Sequence, residues 1–228
     1  MRLVSQPRRI AAEALGTALL VAAVIGSGIM AERLTGDRAV ALLANTIATG
    51  GALVAILLIF GPISGAHLNP AVTLSMVAMK EQTPRSAAGY IAAQIAGGIT
   101  GAILANAMFE LPPITWAMTT RTGAAQLLSE AVATFGLIGV VVAVGRTRVA
   151  ATPFAVAGYI VAAYWFTAST SFANPAVTIA RAFSDTFAGI RPVDVGGFLV
   201  AQAAGATVGA LVFSWLVPIH GRPTLAAD

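Results

Sequence analysis

The chain has 228 residues, of which 57% are hydrophobic and only 10% charged, with 13 Lys and Arg against 9 Asp and Glu. Soluble domains carry about 25% charged residues, so this composition excludes an ordinary soluble enzyme and a disordered tail, and a nucleic-acid binder would need the clustered basic residues that are missing here. Cysteine is absent and histidine occurs only as His67 and His220, so no disulfide framework, metal cluster or cofactor site is expected, and the chain reads as an integral membrane protein.

A membrane helix needs roughly 20 apolar residues to cross about 30 Å of hydrocarbon. In chain order the apolar stretches are Ala14–Ala31 (headed by Glu13), Ala39–Met79, Ser86–Phe109, Thr122–Gly145 (interrupted by Glu130), Val149–Ala180 and Val195–Gly221. Four of these suit one helix each. The second and fifth, at 41 and 32 residues, are too long for one helix. Each meets loop chemistry, Gly61 to Leu68 or Ser169 to Ala173, and then the same pentapeptide: Asn69-Pro70-Ala71-Val72-Thr73 and Asn174-Pro175-Ala176-Val177-Thr178. Asn is a strong helix cap, and Pro is favoured at the first helical position. Each pentapeptide therefore starts a short helix inside an apolar segment. From Asn69 to Lys80 such a helix is about 16 Å long at about 1.5 Å per residue, half a bilayer. The expected fold is an all-α membrane protein with six transmembrane helices and two re-entrant half-helices. Non-helical backbone at that depth is tolerated only where it is buried in protein or lines a water-filled cavity, which implies an aqueous path near the midplane.

The two halves echo each other. Ala12-Glu13-Ala14 corresponds to Ser129-Glu130-Ala131, and Ala93-Gln94-Ile95-Ala96-Gly97 to Ala201-Gln202-Ala203-Ala204-Gly205. Gly101 and Gly209 follow four residues after Gly97 and Gly205, a spacing that lets helix backbones approach closely. Residues 1–228 thus form one domain with repeats at about 10–109 and 126–217. Three spans per repeat is an odd number, so the second repeat is inverted. With the N-terminus inside, Arg2, Arg8, Arg9, Lys80, Arg85, Arg146, Arg148 and Arg222 are cytoplasmic, against Arg33, Arg38, Arg121, Arg181 and Arg191 outside. This excess places both termini in the cytoplasm. The first apolar run opens with Glu13 and lacks a convincing cleavage site, so no cleavable signal is expected.

Two Asn-Pro-Ala motifs, each opening a half-helix within an inverted repeat, resemble the aquaporin, or major intrinsic protein, family. The resemblance covers about Ile10 to Val217 and includes the Val-Thr extension of both motifs, Glu13/Glu130 and Gln94/Gln202. It implies a passive channel for small neutral solutes, no enzymatic activity and usually a homotetramer with one pore per subunit. Physically, two helix N-termini aimed at the midplane offer positive ends and unpaired N–H donors. The amides of Asn69 and Asn174 add donors for a passing oxygen, so a neutral solute finds partners and a cation is repelled.

The chain departs from the family at the outer constriction. Counting from the motifs, the family's four filter positions fall on Thr49, Ala162, Ser171 and Val177. All are small and uncharged, and Val177 stands where most members carry an arginine. Loss of that guanidinium widens the filter, so a water-only channel is not expected. A bacterial branch of the family, encoded near arsenic-resistance functions, has a similar hydrophobic replacement. That resemblance implies an inner-membrane channel whose cargo includes metalloid acids or methylated arsenicals, with glycerol-like polyols and some water.

Glu13 and Glu130 are intramembrane acids, and the resemblance assigns them to bracing the loops before the half-helices. His67 either lines the cytoplasmic half of the pore or packs in its loop. Arg181 lies four residues beyond Val177 and either overlooks the outer vestibule or pairs with Asp185, itself four residues on. Tyr164, Trp165 and Phe166 read as packing against neighbours or lipid, and Trp116 as an interfacial anchor. Three other readings stay open. One is a water and glycerol facilitator without an arsenic role. Another is a secondary transporter, for which dependence on pH or sodium gradients is the discriminator. The third is a closed structural or adhesion protein, which would pass nothing.

Overall fold

The computed structural model describes residues 4–218; Arg2, His220, Arg222 and the last residues of the expected Val195–Gly221 span lie outside them. Among the described residues there is no strand. The helices are α1 (Gln6–Leu34), α2 (Arg38–Ser64), α3 (Pro70–Ala78), α4 (Pro84–Met108), α5 (Ala124–Thr147), α6 (Thr152–Phe166, preceded by the 3-10 turn Val149–Ala151), α7 (Pro175–Arg181) and α8 (Pro192–Leu216). Among the described residues six segments are long and apolar enough to cross a membrane, α6 only when joined to its 3-10 turn. The expected fold class, six spans and two half-helices, is the one observed.

Sequence chemistry accounts for the boundaries. Proline occupies the first turn of α1, α3, α4, α6, α7 and α8, where a missing N–H costs nothing. The Asp37 carboxylate accepts from the N–H groups of Ala39 and Val40 to start α2, and Thr83 caps α4. Two expected boundaries move. The Gly61 to Leu68 segment is not all loop: α2 runs through Pro62 to Ser64 and stops at Gly65, whose φ of 89° is left-handed. A proline this near the end removes one backbone bond without preventing the last turn. The first half-helix stops at Ala78 rather than Lys80, and Lys80 itself has a φ of 62°.

Within the first half α1 packs on α2 and α4, and within the second α5 packs on α6 and α8; α2 and α6 meet across the halves. The half-helices lie between, α3 against α4, α5, α7 and α8, and α7 against α1, α3, α4 and α8. The α1–α4 contact depends on missing side chains. A Cβ at Gly97 or Gly101 would fall on the carbonyl oxygen of Ala14 or Ala18, and Gly205 meets Ala131 in the same way. Gly101→Leu is therefore expected to prevent α1 and α4 from closing. Its yield of folded, detergent-stable protein should fall severely, whereas Gly51→Leu, at an exposed position with open space around it, should leave yield unchanged.

Hydrogen bonds gather the connections at two ends. At one, Arg146 pairs with Glu81 at 2.7 Å and Gln6 donates to Ser86. At the other, Arg33 donates to the Phe109 carbonyl and the Phe187 N–H donates to Glu32. The α4–α5 connection crosses this second end, where Thr115 and Ala117 donate backbone bonds to Phe183 and Ala182 just beyond α7.

Candidate functional site

A cavity of about 470 Å³ runs between the helices, from Glu81 and Arg146 at one end, past His67, Asn69 and Asn174, to Thr49, Tyr164 and Arg181 at the other. Its long wall is aliphatic, with Leu20, Leu53, Leu137 and Val156 contributed by four different helices. Polar side chains are the minority of the lining, and four of them, His67, Asn69, Ser171 and Asn174, come from the loops before α3 and α7.

Those loops are built alike. In each motif the Asn side-chain oxygen caps its own helix: Asn69 accepts from the Ala71 N–H at 2.9 Å, and Asn174 accepts from Ala176 and Val177 at 3.0 and 3.3 Å. Each side-chain nitrogen crosses to the other repeat. Asn69 donates to the carbonyl of Ala173 at 2.8 Å, and Asn174 donates to that of Leu68, also at 2.8 Å. The two half-helix starts are thus laced together. One N–H of each amide is engaged in this tie, which leaves one for a passing oxygen. The accepting residues, Leu68 and Ala173, have φ of 50° and 47°, and Ala66 and Ser171 are left-handed as well. Such backbone costs about 1–3 kcal/mol per residue and persists only where its surroundings hold it.

The intramembrane acids hold it. Glu13, fully buried, accepts from the Ser64 hydroxyl, the His67 and Leu68 N–H groups and the Gln94 amide, at 2.6 to 3.0 Å. Glu130, also fully buried, accepts from Phe172 and Ala173 N–H at 2.9 Å and from the Gln202 amide at 2.6 Å. Gln94 and Gln202 also donate to Thr73 and Thr178, the last residues of the two pentapeptides. Glu13→Gln turns one acceptor into a donor facing donors. Because a hydrogen bond to a charged group contributes about 1.5–3 kcal/mol, heat denaturation in detergent should show a loss of that order, with transport per inserted protein largely kept. A variant with parental heat stability would remove the bracing role.

The expected constriction is only partly assembled. Thr49, Ser171 and Val177 are buried and line the cavity, and the Ser171 hydroxyl has no hydrogen-bond partner among the described residues. Ala162 does not join them. It is exposed on the outside of the bundle, because α6 turns Val156, Ile160 and Tyr164 inward at four-residue spacing, and a residue two positions from Ile160 points the other way. Counting back from Asn174 crossed an irregular loop and lost the helical phase. Tyr164, expected to pack against neighbours or lipid, instead lines the cavity with its hydroxyl 3.4 Å from that of Thr49. Trp165 and Phe166 do face outward.

Arg181 does not pair with Asp185. The helix that would bring them together ends at Arg181, and Asp185 instead accepts from the Met118 N–H at 2.9 Å. Arg181 is buried on the cavity wall. His67 both lines the cavity and packs, with Nδ1 3.1 Å from the Thr73 hydroxyl and its ring edge-on to Tyr90. Trp116 is exposed and tilted against Phe183 at 4.9 Å. Arg121, which no sequence signal singled out, ties the α4–α5 connection to the loops around α7. Its guanidinium donates to the carbonyls of Gly189, Ser169 and Phe187.

Comparison with known proteins gives a consistent set of likenesses. Residues 1–163 match the family model described as Major intrinsic protein. The chain is 56% identical over 210 residues to aquaglyceroporin AqpS of Rhizobium meliloti (strain 1021), covering 92% of this chain and 90% of that protein. It is 30% identical over 218 residues to aquaporin NIP1-4 of Oryza sativa subsp. japonica, covering 93% and 78%. In fold it is similar to the X-ray structure of the aquaglyceroporin from Plasmodium falciparum, with a TM-score of 0.77 over 94% of this chain and 98% of that one at 21% identity.

Proposed function

We propose, from the premise that this chain belongs to the major intrinsic protein family of membrane channels, that it is a passive path for uncharged solutes larger than water: glycerol-like polyols, metalloid acids such as arsenous acid, and methylated arsenicals, with some water. The observation that carries this reading is the cavity itself. Its aliphatic wall faces a short series of hydrogen-bonding groups, and the two intramembrane carboxylates beside it are fully engaged in bracing the loops. A solute sheds water along the wall and exchanges hydrogen bonds with Asn69 and Asn174 in passing. Val177 supports the wide bore, since it puts an isopropyl group where an arginine would fill the cavity. The 56% identity to an aquaglyceroporin supports polyols as one cargo class. In this reading the protein is a homotetramer in the bacterial inner membrane, with the Arg146 end and both termini facing the cytoplasm.

Among the described residues no acid is left free beside the asparagines to bind a coupling ion, which sets the test against a transporter. Glycerol flux into proteoliposomes should follow the glycerol gradient alone, unchanged when ionophores collapse the proton and sodium gradients. Flux that stops on adding ionophore would overturn the channel reading.

A further inference from the structure

We infer that Arg181 and Tyr164 form the selective constriction of this channel: the guanidinium is displaced one helical turn along α7 from Val177 and supplies both the barrier to cations and the donors for hydroxyl-rich neutral solutes. The inference deepens the channel reading and rests on it.

Arg181 follows Val177 by four residues, so the two share a face of α7 and both line the cavity. Only 3% of Arg181 is exposed, yet it belongs to no ion pair: the salt bridges among the described residues join Arg146 to Glu81 and Arg191 to Asp194. Its Nε donates to the Ala188 carbonyl, and its Cζ lies 3.3 Å from the centroid of the Phe172 ring. These two contacts hold the guanidinium at the cavity wall. They leave both Nη nitrogens without a hydrogen-bond partner among the described residues. Burying an uncompensated guanidinium in a dry core is costly. Donors aimed into a solute path avoid that cost, because whatever passes supplies the acceptor. Arg121 lies 4.9 Å from the centroid of the same Phe172 ring, with its own donors spent on backbone carbonyls. It acts as a positioning residue that holds Phe172 against Arg181 and brings a second positive charge to the same ring.

Further polar groups line the same cavity. Tyr164 and Thr49 present adjacent hydroxyls from α6 and α2, and Ser171 presents a buried hydroxyl with no other partner. Together with the Nη groups they suit an uncharged solute bearing two or more hydroxyls, a polyol or a protonated oxyacid. The fixed charge opposes sodium and hydronium.

The test uses the full chain in proteoliposomes, with glycerol, urea, water and sodium as probes. Arg181→Met keeps the length and loses the charge. Sodium permeability should rise at least about tenfold, while water flux stays near parental. Arg181→Lys should keep sodium excluded but lower the glycerol-to-urea ratio, because one ammonium cannot reproduce two aimed Nη groups. Tyr164→Phe should lower that ratio and leave sodium excluded. An Arg181→Met channel that conducts water and still excludes sodium overturns the inference. So does failure of both Arg181 variants to insert, which would make the residue structural. A parent protein that passes neither water nor glycerol overturns the channel reading instead.

Discussion

Asn174→Asp is expected to cut neutral-solute flux by about tenfold or more and to open a measurable leak of sodium or protons. The substitution preserves the cap, because a carboxylate accepts from the Ala176 and Val177 N–H groups as the amide oxygen does. It removes the donor that ties Asn174 to the Leu68 carbonyl and sets a carboxylate oxygen against that carbonyl instead. A buried acceptor left without its donor costs about 1–3 kcal/mol, and here the cost falls on a left-handed residue next to the other half-helix start. The negative charge also faces the cavity, where it attracts cations. Asn69→Asp should behave alike, since it breaks the matching tie to Ala173. The measurement is stopped-flow glycerol uptake alongside a pH-dye leak assay, normalised to inserted protein. Unchanged uptake together with unchanged cation exclusion would show that the asparagine pair is not in the solute path.

Val177→Arg should sharply reduce permeation by solutes larger than glycerol while sparing most water flux. Valine is buried on the cavity wall beside Thr49, Ser171 and Tyr164. A guanidinium grown from that position enters the cavity one helical turn from the Arg181 side chain and narrows it from the α7 side. The charge adds to the existing one, so cations are excluded more strongly and bulky neutral species lose the room to pass. Val177→Leu adds bulk without charge and should reduce the same fluxes less. Matched proteoliposomes challenged with methylated arsenicals, glycerol and water separate these effects. If Val177→Arg passes the arsenicals as the parent does, residue 177 does not set the width.

Much of this architecture was legible in the sequence because it rests on local chemistry. An Asn-Pro start inside an over-long apolar run can only be a new helix, and α3 and α7 begin at Pro70 and Pro175. A lone acid in an apolar helix needs donors, and Glu13 and Glu130 find them in the loops next to those starts. What was not legible depended on helical phase and on where helices end. Ala162 was placed by counting residues through an irregular loop, which carries no phase, whereas inward spacing within α6 selects Ile160 and Tyr164. The Arg181–Asp185 pair assumed one more helical turn than α7 possesses. As a result the site holds both a ring and a guanidinium where the family-aligned positions offered neither. Arg121 had no local signal at all, since its partners lie 48 to 68 positions away in sequence.

The claim that this chain is a channel wider than water needs is tested most directly by solute flux through the unmodified protein. Purified protein in liposomes is mixed rapidly with matched osmotic gradients of glycerol, arsenous acid and methylated arsenicals, with water efflux against sucrose as the reference and protein-free liposomes as the blank. Every one of these solutes is expected to enter faster than through the blank, in proportion to its gradient. Water movement accompanied by solute entry no faster than through the blank would contradict it.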